Sequence, residues 1–166
     1  AAEAFFLLAL GFVKKAGADH LGVQLVDRVF EQPLFFSSLE VASGVYGYAA
    51  QIWLDFSGYS DLALGAALLL GFRLKDNFNS PYRAASLPEF WQRWHISFST
   101  WLRDYLFFNL PGKRTRLGPT LAIIATFLAG GLWHGAAWTF LAWGAVHGAG
   151  LALWRAFEPR GRGPRL

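Results

Sequence analysis

"LGPTLAIIATFLAGGLWHGAAWTFLAWGAVHGAGLALW", residues 117–154, decides the fold. Within it only His134 and His147 ionise near neutral pH. A membrane span needs roughly 20 apolar residues, and the blocks 117–131 and 136–154 approach that length. Outward from them, residues 65–72 are also nearly free of charge. The whole chain is 54% hydrophobic, 17% aromatic and only 16% charged, too apolar for an ordinary soluble domain. The expectation is an all-α, polytopic membrane protein.

The charge that exists is clustered. Lys113, Arg114 and Arg116 form one group, and Arg155, Arg160, Arg162 and Arg165 another. Nucleic-acid binding would need such residues on a polar scaffold. Here they border apolar segments, so they read as cytoplasmic anchors in the lipid bilayer, and no nucleic-acid partner is expected. There is no cysteine, hence no disulfide framework or thiolate metal site. Residues 1–15 resemble the end of a membrane helix rather than a signal peptide, since a basic leader and a small-residue cleavage site are missing. With no methionine either, the chain reads as a piece of a longer protein.

Residues 16–40 suit a short interfacial helix and a loop turning at Pro33, and residues 41–54 are apolar and rich in small residues that let helices approach closely. "DFSGYSD", residues 55–61, then interrupts what would be one long apolar segment. A helix break is expected there, with Ser57 or Ser60 capping the helix that follows and Asp61 in its first turn. Residues 73–88 form a polar loop, in which Asn77 and Asn79 are turn formers ahead of Pro81. "SLPE", residues 86–89, matches a capping box with Pro88 in the first turn. It opens an amphipathic helix over about 87–108. Trp91, Trp94, His95, Phe98, Leu102 and Tyr105 lie on one face and Arg93, Ser97, Thr100 and Asp104 on the other. Such a helix belongs at an interface or among other helices.

The chemistry narrows to the histidines. His20, His95, His134 and His147 fit no metal-ligand spacing, so no metal is expected. His147 reads as a packed residue satisfied by a backbone carbonyl, and His20 as surface. His95 and His134 each follow a tryptophan and lie where an ionisable group is costly, which makes function the default hypothesis. A neutral imidazole can accept a proton at pH 7, and burial keeps it neutral. Asp55 and Asp61 have two open readings: ion pairs with Arg73, Arg93 or Arg103, or roles in orienting a histidine or binding a polar substrate. Without a cysteine or a G-x-S-x-G motif, the simplest chemistry is direct transfer. A base takes the proton of an acceptor hydroxyl, whose oxygen attacks an acyl carbonyl, with a general-base gain of about 10²–10⁴-fold.

"DFSGYSDLALG", "NFNSPY", "FWQRWHISFSTWLRDYLF" and "GGLWHGAAWTFLAWGAVHG" together resemble the membrane-bound O-acyltransferase (MBOAT) family. The likeness is strongest to its bacterial alginate O-acetyltransferase branch, with teichoic-acid D-alanyl transfer proteins as cousins, and it runs from about Phe5 to Trp154. It implies a partial MBOAT domain over residues 1–166 and a funnel of membrane helices with a thinned centre. His134 would be the catalytic residue and His95 a second residue important for activity. Trp94, Ser97, Arg103, Asp104 and Trp133, in the same motifs, are candidate supporting residues with Asp55 and Asp61.

The implied donor is a cytoplasmic thioester, acyl-CoA or an acyl carrier protein, with no resident cofactor. The acceptor would be an exported polysaccharide or a relay partner such as a periplasmic SGNH-like acyltransferase. The location would be the bacterial inner membrane, multi-pass, and 166 residues alone would be inactive. D-alanyl-type transfer to a cell-envelope polymer, a non-catalytic scaffold or transporter piece, and an anionic-lipid anchor are the competing readings.

Overall fold

The computed structural model describes residues 1–112, 115 and 117–157. Every regular element among them is helical. Of the two basic clusters only Arg155 falls within the described residues. The chain divides into two compact units, residues 1–77 and 78–166.

In the first unit, α1 (Ala2–Leu21) continues through a π-helical turn (Gly22–Val26) into α2 (Asp27–Glu31). A 3-10 turn at Pro33–Phe35 reverses the chain. Ser37 then caps α3 (Ser38–Leu69) in a reciprocal box with Glu40, one the sequence reading did not single out. The two arms run antiparallel on small residues. A Cβ at Gly58 would come within 2.9 Å of the Gly11 carbonyl, one at Gly65 within 2.9 Å of the Ala4 carbonyl, and one at Gly44 within 2.7 Å of Val29.

The break expected at residues 55–61 does not occur: α3 passes through them, and Ser57 and Ser60 are buried inside it rather than capping anything. Two features remove the need for a break. Gly58 lets α1 approach at backbone distance, and both carboxylates are neutralised from α1, Asp61 by Lys14 at 2.6 Å and Asp55 by Lys15.

In the second unit the short helices come first. Ser86 caps α4 (Leu87–Arg93) by accepting the Glu89 N–H, which is half of the expected capping box; the Glu89 carboxylate accepts the Ala85 N–H instead of closing the reciprocal bond to Ser86. The single helix expected over 87–108 is instead broken. Trp94 is extended and His95 left-handed before α5 (Ile96–Trp101), which runs into a π-helical turn at Leu102–Leu106 and a 3-10 turn at Phe107–Asn109. Helical periodicity survives such a kink in the sequence, because it registers residue types and not backbone angles.

α6 (Gly118–His134) and α7 (Trp138–Phe157) form an antiparallel hairpin. Their axes touch through glycine: a Cβ at Gly131 would lie 2.3 Å from the Phe140 carbonyl oxygen, and one at Gly144 2.4 Å from that of Phe127.

None of the described helices is long and apolar enough to cross a membrane, so the blocks 117–131 and 136–154, read as approaching span length, stop short of it. α6 has 17 residues, about 26 Å at 1.5 Å per residue, against a hydrocarbon core of about 30 Å. α7 is diluted by glycine, tryptophan and His147. Small residues nonetheless fill the helix contacts while Phe5, Phe6, Phe12, Leu121, Val146 and Leu153 face outward. That distribution is the one used where helices meet in lipid.

Candidate active site

His134 is the last residue of α6, and the hairpin turn fixes where it stands. Gly135 donates its N–H to the Leu132 carbonyl, Ala137 donates to Gly135, and α7 begins one residue later. A side chain at Gly135 would collide with the Phe140 ring at 2.6 Å, so glycine keeps that ring beside the imidazole. Phe140 stacks on His134 with centroids 6.0 Å apart, and Trp143, one turn further along α7, meets it near edge-on at 5.3 Å.

His95 arrives from the break between α4 and α5. Its backbone sits at φ 43° and ψ 57°, a region that a non-glycine residue enters only when its surroundings impose it. Its carbonyl still accepts the Ser99 N–H and so starts α5, while the Ser99 hydroxyl donates to the Trp94 carbonyl. The ring stacks on Phe98 at 5.0 Å. Burial, reinforced by the charge His134 would carry, holds the His95 imidazole down to a pKa of about 4, well below the ordinary 6.5.

Phe98 joins the two histidines. Its ring lies 5.0 Å from His95, 6.0 Å from His134 and 4.4 Å from Trp133, which in turn contacts both imidazoles. Two residues thirty-nine positions apart in sequence thus share two aromatic neighbours. His147 belongs to the adjoining cluster. It meets Trp143 at 4.8 Å and Trp91 at 5.1 Å, packed as expected but against rings rather than a backbone carbonyl. Trp91, Trp143 and Phe98 were the residues sequence reasoning left without a role here. Helical spacing marks Trp91 and Phe98 as apolar-face residues, but nothing in it shows that they reach histidines.

The remaining candidates divide. Trp133 stands in the cluster. Trp94, assigned by spacing to the same face as His95, packs among Phe78, Tyr82 and Phe90, where the helix breaks between the two. Ser97 is exposed on α5. Arg103 and Asp104 pair with each other at 2.7 Å. Asp55 and Asp61 lie in the first unit with lysine partners, not with Arg73, Arg93 or Arg103, which pair with Glu3, Glu89 and Asp104. His134 is also exposed in this chain rather than buried, because the α6–α7 turn sits at the end of the hairpin.

The family is settled by comparison with known proteins. The family model for MBOAT, the membrane-bound O-acyltransferase family, matches residues 4–160. The chain belongs to that family. It is 57% identical over 151 residues to a protein of Azotobacter vinelandii named probable alginate O-acetylase AlgI, covering 89% of this chain and 30% of that protein. It is 38% identical over 154 residues to a peptidoglycan O-acetyltransferase of Helicobacter pylori, covering 92% of this chain and 29% of that protein. A teichoic acid D-alanyltransferase of Streptococcus thermophilus matches at 35% over 163 residues, 91% of this chain and 39% of that protein. The MBOAT chain thus spans about three tenths to two fifths of the length of these curated relatives, and the family's name makes it one of membrane proteins.

Proposed function

We propose that this MBOAT chain carries the catalytic histidines of an O-acyltransferase of the bacterial inner membrane. The protein would be multi-pass and would move an acyl group, acetyl in the simplest case, from a cytoplasmic thioester to a hydroxyl. The observation that carries the reading is the convergence of His95 and His134 on Phe98 and Trp133, within a chain 57% identical to a protein named as an alginate O-acetylase.

In the proposed reaction His134 accepts the proton of the acceptor hydroxyl as its oxygen attacks the thioester carbonyl. The tetrahedral intermediate expels the thiolate, and the imidazolium returns its proton to that sulfur. No acyl-enzyme forms on this route. His95, held neutral, is suited to donate or accept a hydrogen bond at the same reacting centre. The donor is acyl-CoA or an acyl carrier protein. The acceptor is an exported polysaccharide or a periplasmic SGNH-like relay protein.

D-alanyl transfer to a cell-envelope polymer is the second reading, supported by the relative named as a teichoic acid D-alanyltransferase. The non-catalytic transporter reading loses ground, since the carboxylates it would use as an ion path are paired with lysines.

The test compares wild type with His134→Ala in native membranes, after equal insertion is established, for transfer of labelled acetyl or D-alanyl groups to surface polymer. Loss of about 10²-fold or more is expected. Transfer near the wild-type rate would remove His134 from the mechanism, and the preferred label decides between the two acyl groups.

A further inference from the structure

Two non-glycine residues among those described have positive φ, Ser80 at 46° and His95 at 43°. They lie fifteen positions apart, yet both flank one junction. The Asn79 N–H donates to the Arg93 carbonyl at 2.9 Å, and the Arg93 guanidinium donates back to the Asn79 carbonyl at 3.3 Å. The Arg93 carbonyl is one the helix would have used itself. Had α4 run on into α5, it would have accepted the N–H of Ser97, four residues ahead. The break at Trp94–His95 releases it, and the loop supplies the replacement donor.

The same loop is fastened at its other end. Glu89 accepts the Ala85 N–H at 2.8 Å through one carboxylate oxygen and the Arg93 guanidinium at 2.6 Å through the other. Residues 79–85 are therefore tied to both ends of α4 by one glutamate–arginine pair. Pro81 is fully buried, and Phe78 and Tyr82 close on Trp94, the residue immediately before His95. Ser80 is strained twice over, being left-handed and immediately before a proline, where that conformation is disfavoured. Strain of this kind persists only where surrounding contacts over-determine it.

We infer that the 79–85 loop and Arg93 form a clasp that positions His95: the exchanged hydrogen bonds between Asn79 and Arg93 hold the α4–α5 break open and set the imidazole on Phe98. Arg93 is a positioning residue and does not touch the reacting groups. The clasp explains why the "NFNSPY" segment is folded into a strained turn at Ser80, immediately before the buried Pro81. Its importance for turnover rests on the catalytic reading of His95, but its effect on the ring does not.

The test uses Arg93→Gln, with Arg93→Lys as a second variant that keeps the charge opposite Glu89 should the first fail to insert. Diethyl pyrocarbonate is applied to native membranes and carbethoxylation at His95 is followed by mass spectrometry. The rate at His95 is expected to rise several-fold in either variant, because the ring leaves its stacked site. Acyl transfer is expected to fall about ten- to hundred-fold, in kcat rather than in KM for the donor. The double variant Arg93→Gln/His95→Ala should be no slower than His95→Ala alone. An unchanged modification rate at His95 overturns the clasp, as do additive losses in the double variant. If His95→Ala transfers at the wild-type rate, the catalytic reading of His95 fails instead, and the modification rate still decides the clasp.

Discussion

The chain departs from helical geometry at Trp94 and His95, which sets where the His95 imidazole stands, and burial there sets its protonation. Burial lowers its pKa to about 4, so the neutral form dominates throughout the range from pH 5 to 8. The consequence for stability follows the sign of the shift. The unfolded chain takes up the proton first as pH falls, so this contribution is complete above the ordinary value of 6.5 and is lost as pH drops from there through about 4. For catalysis, any acid limb of acyl transfer between pH 5 and 8 must come from another group. His95→Gln should therefore lower the rate while leaving the midpoint of that limb unmoved, as a pH–rate profile of the variant and wild type would show. A midpoint displaced by the substitution would mean that His95 titrates in the working range. The sequence marked His95 and His134 as unusual from their apolar surroundings alone. It did not show that Phe98 joins them, because contact between α5 and α6 depends on a backbone kink that residue types do not encode.

Between residues and the molecule stand two antiparallel helix pairs, each closed by small residues. Their existence was legible, since apolar blocks with recurrent glycine read as close-packed helices. Their boundaries were not. Asp55 and Asp61 looked like a helix break because their lysine partners, Lys14 and Lys15, lie more than forty positions away for one pair and forty for the other. In the α6–α7 hairpin, Gly144 stands where a Cβ would meet the Phe127 carbonyl at 2.4 Å, a backbone atom that cannot yield by a rotamer change. Gly144→Ala should destabilise the unit by about 1–3 kcal/mol through overpacking. It should also displace Trp143, its neighbour, from His134. Gly150 is the matched control: its Cβ would meet only the Leu87 side chain at 2.8 Å. There the gain in helix propensity, about 0.5–1 kcal/mol, offsets a small movement. Thermal unfolding in detergent should separate the two substitutions clearly. Equal effects would show that the hairpin tolerates expansion at the Phe127 crossing.

For the whole molecule, the histidine cluster lies in one unit, and the other carries charged pairs inside a helix contact. The paired charges between α1 and α3 have a structural account that needs no substrate. Lys14 and Asp61 are both largely shielded, at 19% and 17% side-chain exposure, and their contact at 2.6 Å bridges α1 and α3 beside the Gly11–Gly58 approach. Removing either partner leaves the other shielded and unpaired, a cost of about 1.5–3 kcal/mol for a hydrogen bond to a charged group. Lys14→Ala and Asp61→Asn should each lower the thermal stability of the membrane-inserted protein. The exchange Lys14→Asp/Asp61→Lys should recover most of the loss, because it restores a pair of opposite charges across the same contact. Acyl transfer should follow stability, falling in the single variants only as far as folded protein falls. A carboxylate on a substrate or ion path behaves otherwise. Asp61→Asn would then abolish transfer with insertion and stability intact, and the exchanged pair would stay inactive, since a lysine cannot do at position 61 what a carboxylate does. Measuring transfer per folded molecule in these three variants therefore determines whether α1 and α3 support the site or form part of it.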